Sequence, residues 1–269
     1  MKIVFFDIDG TIYHLRIGIP RDTAEALEKL SSCGRLIGLC TSRSLAYIPP
    51  EFKKVPCNIL ITSNGARIQV GDVVIKESLF LPDQVKQLLE LFQYHHLVPV
   101  LCGPEYVLYD EMVLTSRVDG WIDRVRKTLG SNFRSLNSYT NGIPVDKICV
   151  KVPADQDPET VIRTLEVNPN YSVCVSRDSD TGRCCEFEVM HALSTKGDAI
   201  RLVLEYLKIP IAESFAFGDG TNDVSMFQAV GHAIAMGNAS DEVKACADFV
   251  TTRFDEGGVA GGLSHFKLV

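Results

Sequence analysis

"VFFDIDGTIY", residues 4–13, is the stretch on which the reading of this chain turns. Residues 3–6 are all apolar, the pattern of a short strand buried on both faces of a parallel sheet. The strand would deliver Asp7, Asp9, Gly10 and Thr11 to its C-terminal end. Two carboxylates one residue apart repel each other, so their placement calls for a compensating positive charge. Side chains alternate along an ending strand, so Asp7 and Asp9 need not perform the same task.

Outward from this stretch, strands alternate with helices. Asp22 with Glu25 predicts a capping box opening a helix through Leu27 and Leu30, closed by Gly34. "RLIGLC" (35–40) reads as a second strand ending in Thr41, Ser42 and Arg43, and "NILITSNGA" (58–66) as a third with a turn at Asn64-Gly65. Such a rhythm predicts an α/β sheet. It changes near Pro82. A helix over 83–96 is followed by strands at 98–102 and 105–109, then by a helix carrying Val118, Trp121, Ile122, Val125 and Leu129. A strand at 146–152, a helix from Asp157-Pro158 and a hairpin of "YSVCVS" and "RCCEFEV" complete the insert. After about residue 190 the first rhythm returns: a helix over 196–207, strand "SFAFGDG", a helix from Asn222, strand "AIAM", a helix from Ser240 and strand "DFVT". The expected organisation is one α/β core, residues 1–81 and 188–269, split by an inserted α+β domain at 82–187.

Composition narrows the function. Across 269 residues, 46% are hydrophobic, enough for a sizeable core, and the net charge of -7 disfavours nucleic acid or an acidic membrane as partner. The nine cysteines lack CxxC spacing and are odd in number, which predicts reduced thiols rather than a disulfide framework. Neighbouring Cys184 and Cys185 would point to opposite sides of a strand, against a metal site there. With neither a secretory signal nor an apolar run of membrane-spanning length, the expected location is the cytoplasm.

Polar clusters fall at the C-terminal ends of the core strands: Asp7 and Asp9, Thr41 and Ser42, and Asp219 with Asn222 and Asp223, with Lys196 starting a helix beside them. Open parallel sheets bind ligands outside those ends. Three aspartates gathered there call for a hard cation, and Mg²⁺ takes oxygen ligands while sharing a substrate phosphate. Asp7 and Asp219 are the natural ligands, with Asp223 acting directly or through water. Lys196, Thr41 and Ser42 suit phosphoryl oxygens. One carboxylate of the opening pair would attack phosphorus, and the other would exchange protons with the leaving oxygen and with water. His191 and Arg43 carry weaker signals, and Trp121 reads as core of the inserted domain.

"DIDGT" (7–11), Thr41, "STKGDAI" (194–200) and "FGDGTNDVSMF" (217–227) together resemble the four motifs of the haloacid dehalogenase-like superfamily. "TSNGA", "AIAMGNASDEVKACADFVT" and "DEGGVA" resemble its Cof-type branch, which carries an inserted α/β cap. The resemblance implies a Rossmann-like core, Mg²⁺ dependence and hydrolysis of a small phosphorylated substrate. By position, Asp7 matches the nucleophile and a metal ligand; Asp9 matches the acid/base, with its backbone carbonyl on the metal. Asp219 matches a metal ligand, Asp223 supports that site, and Thr41, Lys196 and Asn222 match phosphate-contacting positions. Ser42 departs from the glycine of many relatives, at the pocket's edge. A phosphomutase sharing the aspartyl-phosphate intermediate and a non-catalytic phosphometabolite sensor are the alternatives. Substrate identity and oligomeric state are not legible.

Overall fold

The computed structural model describes residues 1–109, 129–178, 181–192 and 194–269. Met1–Ser42, Glu51–Glu77 and Thr195–Val269 form one compact unit, and Arg43–Pro50 with Ser78–Ser194 form the other.

In the first unit, β1 (Ile3–Phe6) has all four side chains buried. Helix α1 (Arg21–Ser32) buries Thr23, Ala26, Leu27 and Leu30 and leads to Gly34 at φ +70°. The Asp22–Glu25 capping box does not form. The helix begins one residue before Asp22, whose carboxylate accepts from the Thr23 N–H, and Glu25 pairs with Arg21 on the surface. Strands β2 (Leu36–Cys40) and β3 (Ile59–Thr62) follow. Gly38 in β2 lets the Phe5 ring lie against the backbone; a Cβ there would fall 2.5 Å from Phe5 Cδ1. The chain then doubles back through β4 (Arg67–Val70) and β5 (Val73–Glu77), an antiparallel addition to the sheet.

The second unit contains α2 (Pro82–Tyr94), β6 (Val98–Cys102), β7 (Val107–Tyr109), β8 (Phe133–Ser135), β9 (Lys147–Lys151), α3 (Glu159–Glu166), β10 (Tyr171–Arg177) and β11 (Cys184–His191). Among the described residues, six strands of this unit run in the order β10-β11-β9-β6-β7-β8, antiparallel except for the β7–β8 pair. Helices α2 and α3 bury Val85, Leu88, Phe92, Val161, Ile162 and Leu165 in a core shared with Ile148, Val150 and Phe187. The helix expected from Val118, Trp121, Ile122 and Val125 lies outside the described residues. This unit is wider than the expected 82–187. Its sheet pairing persists to His191 opposite Tyr171, and the Phe80 N–H bonds to Val145 O. Arg43–Pro50, expected in the core, belongs to it as well, because Ala46 packs among Val100, Cys102 and Cys149 and its N–H reaches Gly103 O.

The chain returns to the first unit with α4 (Lys196–Leu207), β12 (Ser214–Gly218), α5 (Val224–Phe227), β13 (His232–Ala235), α6 (Asp241–Lys244), β14 (Phe249–Val250) and α7 (Gly258–His265). The first unit's sheet has the order β14-β13-β12-β1-β2-β3-β4-β5, parallel from β14 to β3. From β1 the chain builds outward on one side through β2, and from β12 on the other through β13. The order therefore reverses between β1 and β12, where a doubly wound sheet opens its crevice.

Candidate active site

The register at the switch point sets the site. Phe6 pairs with Phe217, so Asp7 emerges beside Gly218 and its N–H bonds to Phe217 O at 2.9 Å. Asp219 emerges one residue further along β12. Lys196, the first residue of α4, is fully buried, and its ammonium donates to Asp7 Oδ1 at 2.5 Å and to Asp223 Oδ1 at 2.6 Å. The other oxygen of Asp223 accepts the Asp219 and Gly220 N–H groups, each at 2.9 Å. Asp223 therefore has partners on both oxygens and acts as the anchor of the loop that carries Asp219.

Helix α4 is held where Lys196 needs it. Thr195 caps its N-terminus, accepting from the Asp198 N–H at 3.1 Å. Against this end packs the turn Ser63–Asn64–Gly65, three successive residues with φ of 49°, 53° and 98°. A Cβ on Gly65 would fall 2.5 Å from Thr195 O, so the position combines a left-handed backbone with close approach.

Asp7, Asp219 and Asp223 offer oxygen atoms within 4.8 Å of one another, and Lys196 supplies one positive charge against them. Burial, reinforced by Asp223 and Asp219, pushes the Asp7 carboxyl well above the usual range despite Lys196. Burial and Asp223 push Asp219 up to about 6, with Asp9 adding to the rise. Burial alone would lower the Lys196 ammonium, but Asp223 and Asp7 outweigh it and hold Lys196 charged. Burial likewise keeps nearby Cys40 a neutral thiol. The excess negative charge and the all-oxygen donor set fit a hard divalent cation.

Thr41, Ser42, Asn222 and Asp9 lie in the same unit as this centre. Thr41 is buried; its N–H bonds to Ile61 O and its carbonyl accepts from the Asn64 N–H. Asn222 is half-buried and donates its amide to Asn64 Oδ1 at 3.3 Å. Ser42 is half-buried beside Thr41, and Asp9 is exposed in the loop after β1. The two carboxylates of the opening pair thus occupy different surroundings, one dry and bound to an ammonium, the other at the water. Arg43 lies in the second unit, donating to Tyr47 O. His191 ends β11 there, with Nδ1 buried and without a hydrogen-bond partner among the described residues.

Sequence reasoning missed Thr11, Asn64 and Asn238 as members of the site. Thr11 Oγ1 donates to Asp219 Oδ1 at 3.0 Å, and Asn238 Nδ2 donates to Asp219 Oδ2 at 3.1 Å. Thr11 and Asn238 lay within quoted motifs, and Asn64 read as a turn residue that the family resemblance sets at the cap-facing rim.

Residues 4–263 match the model of the haloacid dehalogenase-like hydrolase family. The chain belongs to the haloacid dehalogenase-like hydrolases. It is 27% identical to the putative phosphatase YkrA of Bacillus subtilis over 100% of this chain and 98% of that protein. It is 28% identical to a putative phosphatase of Haemophilus influenzae over 96% of this chain and 95% of that one. A solved hypothetical protein from Geobacillus kaustophilus superposes with a TM-score of 0.82 at 26% identity, covering 100% of this chain and 99% of the other. The chain is thus an enzyme, a phosphoric monoester hydrolase of this haloacid dehalogenase-like family. Among the described residues, no helix is long and apolar enough to cross a membrane.

Proposed function

We propose that this enzyme hydrolyses the monoester of a small phosphorylated metabolite, a sugar phosphate or similar, through an aspartyl-phosphate on Asp7. The observation that carries this reading is the buried Lys196 ammonium bridging Asp7 and Asp223 beside Asp219 at the sheet's switch point. Asp7 and Asp219 would hold Mg²⁺ through carboxylate oxygens, with the Asp9 carbonyl also directed to it and Asp223 supporting the loop. A bound Mg²⁺ would offset the carboxylates and draw charge from phosphoryl oxygens.

An Asp7 oxygen bonds to phosphorus as the ester P–O bond breaks, and Asp9 gives its proton to the leaving oxygen. Asp9 then takes a proton from water as that water attacks phosphorus, releasing Asp7 and inorganic phosphate. Lys196, Thr41, Ser42 and Asn222 contact the phosphoryl oxygens and hold them in line. Substrate choice falls to the second unit, which we read as the cap. The test is a phosphate-release screen over sugar phosphates, nucleotides, flavin mononucleotide and pyridoxal phosphate, with and without Mg²⁺. Free phosphate supports hydrolysis; a phosphoryl group moved to another position of the substrate makes the enzyme a mutase. Tight binding with no turnover across the panel makes it a sensor.

Two further outcomes are expected. Gly10 has φ +85°, and a Cβ there would fall 2.2 Å from Asp219 Oδ2. Gly10→Ala combines a strained backbone with a displaced carboxylate, so kcat/KM should fall about 100-fold, as for a displacement near 1 Å. Steady-state kinetics with p-nitrophenyl phosphate checks this.

The second concerns pH. Asp219 stands at about 6 in the folded metal-free protein against 3.8 for an ordinary aspartate. The folded state therefore binds more protons than the unfolded one between these values, and stability of the metal-free protein falls as pH rises through that window. Mg²⁺ at a hundred times its Kd should restore about 2.7 kcal/mol, roughly 5–10 °C in Tm, at neutral pH and little at pH 4. Thermal unfolding with Mg²⁺ or EDTA at several pH values measures it.

A further inference from the structure

We infer that Asn238 and Thr11 are positioning residues that together aim the Asp219 carboxylate at the cation. The inference rests on the reading of Asp219 as a metal ligand. Each oxygen of Asp219 receives one neutral donor, Thr11 Oγ1 on Oδ1 at 3.0 Å and Asn238 Nδ2 on Oδ2 at 3.1 Å. A carboxylate oxygen has two lone-pair directions, so this grip fixes the plane of the group while leaving each oxygen free to bind a cation.

The Asn238 amide is itself fixed from three sides. Its Oδ1 accepts the Phe254 N–H at 3.0 Å, and this assigns the amide orientation. Nδ2 then has two protons for its two acceptors, Gly10 O at 2.9 Å and Asp219. One side chain thus ties the loops after β1, β12 and β13 at a single point. Thr11 is fully buried in the turn that follows Asp7. Neither residue brings charge, so neither competes with Lys196 for the carboxylates. Partners of this kind, which orient a metal ligand without touching the metal, commonly change metal affinity by 10–100-fold when removed.

A strut that only joined loops would behave differently from a group that aims a ligand, and metal binding separates the two. Mg²⁺ is titrated by calorimetry into the full-length wild-type protein and into Asn238→Ala, Thr11→Val and Asp219→Asn, without substrate. The KM for p-nitrophenyl phosphate is measured at saturating Mg²⁺, and Tm by thermal unfolding. Expected are a rise of about tenfold or more in the Mg²⁺ Kd for both Asn238→Ala and Thr11→Val, and an unchanged KM. Asn238→Ser and Thr11→Val carry the test if Asn238→Ala does not fold. A lowered Tm with wild-type Mg²⁺ affinity in the folded variants overturns the inference and leaves the two residues as struts. Wild-type affinity in Asp219→Asn overturns it at its root, since Asp219 is then not a ligand.

Discussion

Asp7→Asn should lower kcat/KM by about 10⁴-fold or more while raising the stability of the metal-free protein at neutral pH. The activity loss follows from the nucleophile: an amide at this position does not bond to phosphorus, and removing a nucleophile from a concerted set costs nearly all of its catalysis. The gain in stability follows from the surroundings. Burial, Asp223 and Asp219 hold the Asp7 carboxyl well above its usual range. A group raised in this way destabilises the folded state once pH exceeds its unfolded value, so deleting its charge relieves that penalty. Lys196 keeps its bond to Asp223 in the variant. As pH falls to the ordinary aspartate value of 3.8, protons bind the unfolded state as well, and the stability difference should shrink. Urea unfolding at pH 7 and pH 4, with p-nitrophenyl phosphate kinetics at pH 7, tests both halves of the expectation. A destabilised, inactive variant would show that Asp7 serves the fold more than the chemistry.

Lys196→Met should do the opposite to stability. The ammonium is fully buried and bridges two carboxylates. Removing one partner from a buried ion pair leaves uncompensated charge and costs about 3–5 kcal/mol, and here two carboxylates lose their partner at once. In the metal-free protein the loss should be measured at pH 7. Activity should fall by about 10³-fold even with the protein folded in Mg²⁺, because a positive group aimed at phosphoryl oxygens is gone. Urea unfolding with EDTA and kinetics with saturating Mg²⁺ separate the two effects. A stability change under about 1 kcal/mol would place Lys196 in water rather than in the dry cluster.

Much of the core was legible because its signals are local. β1 is four apolar residues between a charged start and Asp7, and burial on both faces leaves no alternation to confuse with a surface strand. The β4–β5 hairpin was not legible: of its apolar residues only Ile68 is fully buried, Val70 and Ile75 are partly so, and Val73 and Val74 at the edge are exposed. β8 is three residues long and pairs, among the described residues, with β7 alone. Helix α7, "GVAGGLSH", has three glycines and poor intrinsic propensity; it is fixed by packing, with Gly262 against the Phe217 ring. The site divides in the same way. Asp7, Lys196, Asp219 and Asp223 stand at strand ends or a helix start beside glycines, where chemistry shows in the motif itself. Asn64 and Asn238 are polar turn residues whose meaning depends on Asn222 and Gly10, 158 and 228 positions away, and only the folded chain brings them together.

The covalent step is open to one direct measurement. The leaving group of p-nitrophenyl phosphate departs without a proton, so Asp9→Asn should still transfer the phosphoryl group but should be slow to activate the water that removes it. Acid quench of this variant during turnover with Mg²⁺, followed by peptide mapping by mass spectrometry, should find one phosphoryl group on the peptide containing Asp7, and borohydride reduction should place it on that carboxylate. Continued release of p-nitrophenol with no phosphorylated peptide, or a phosphoryl group on any residue other than Asp7, would contradict the account.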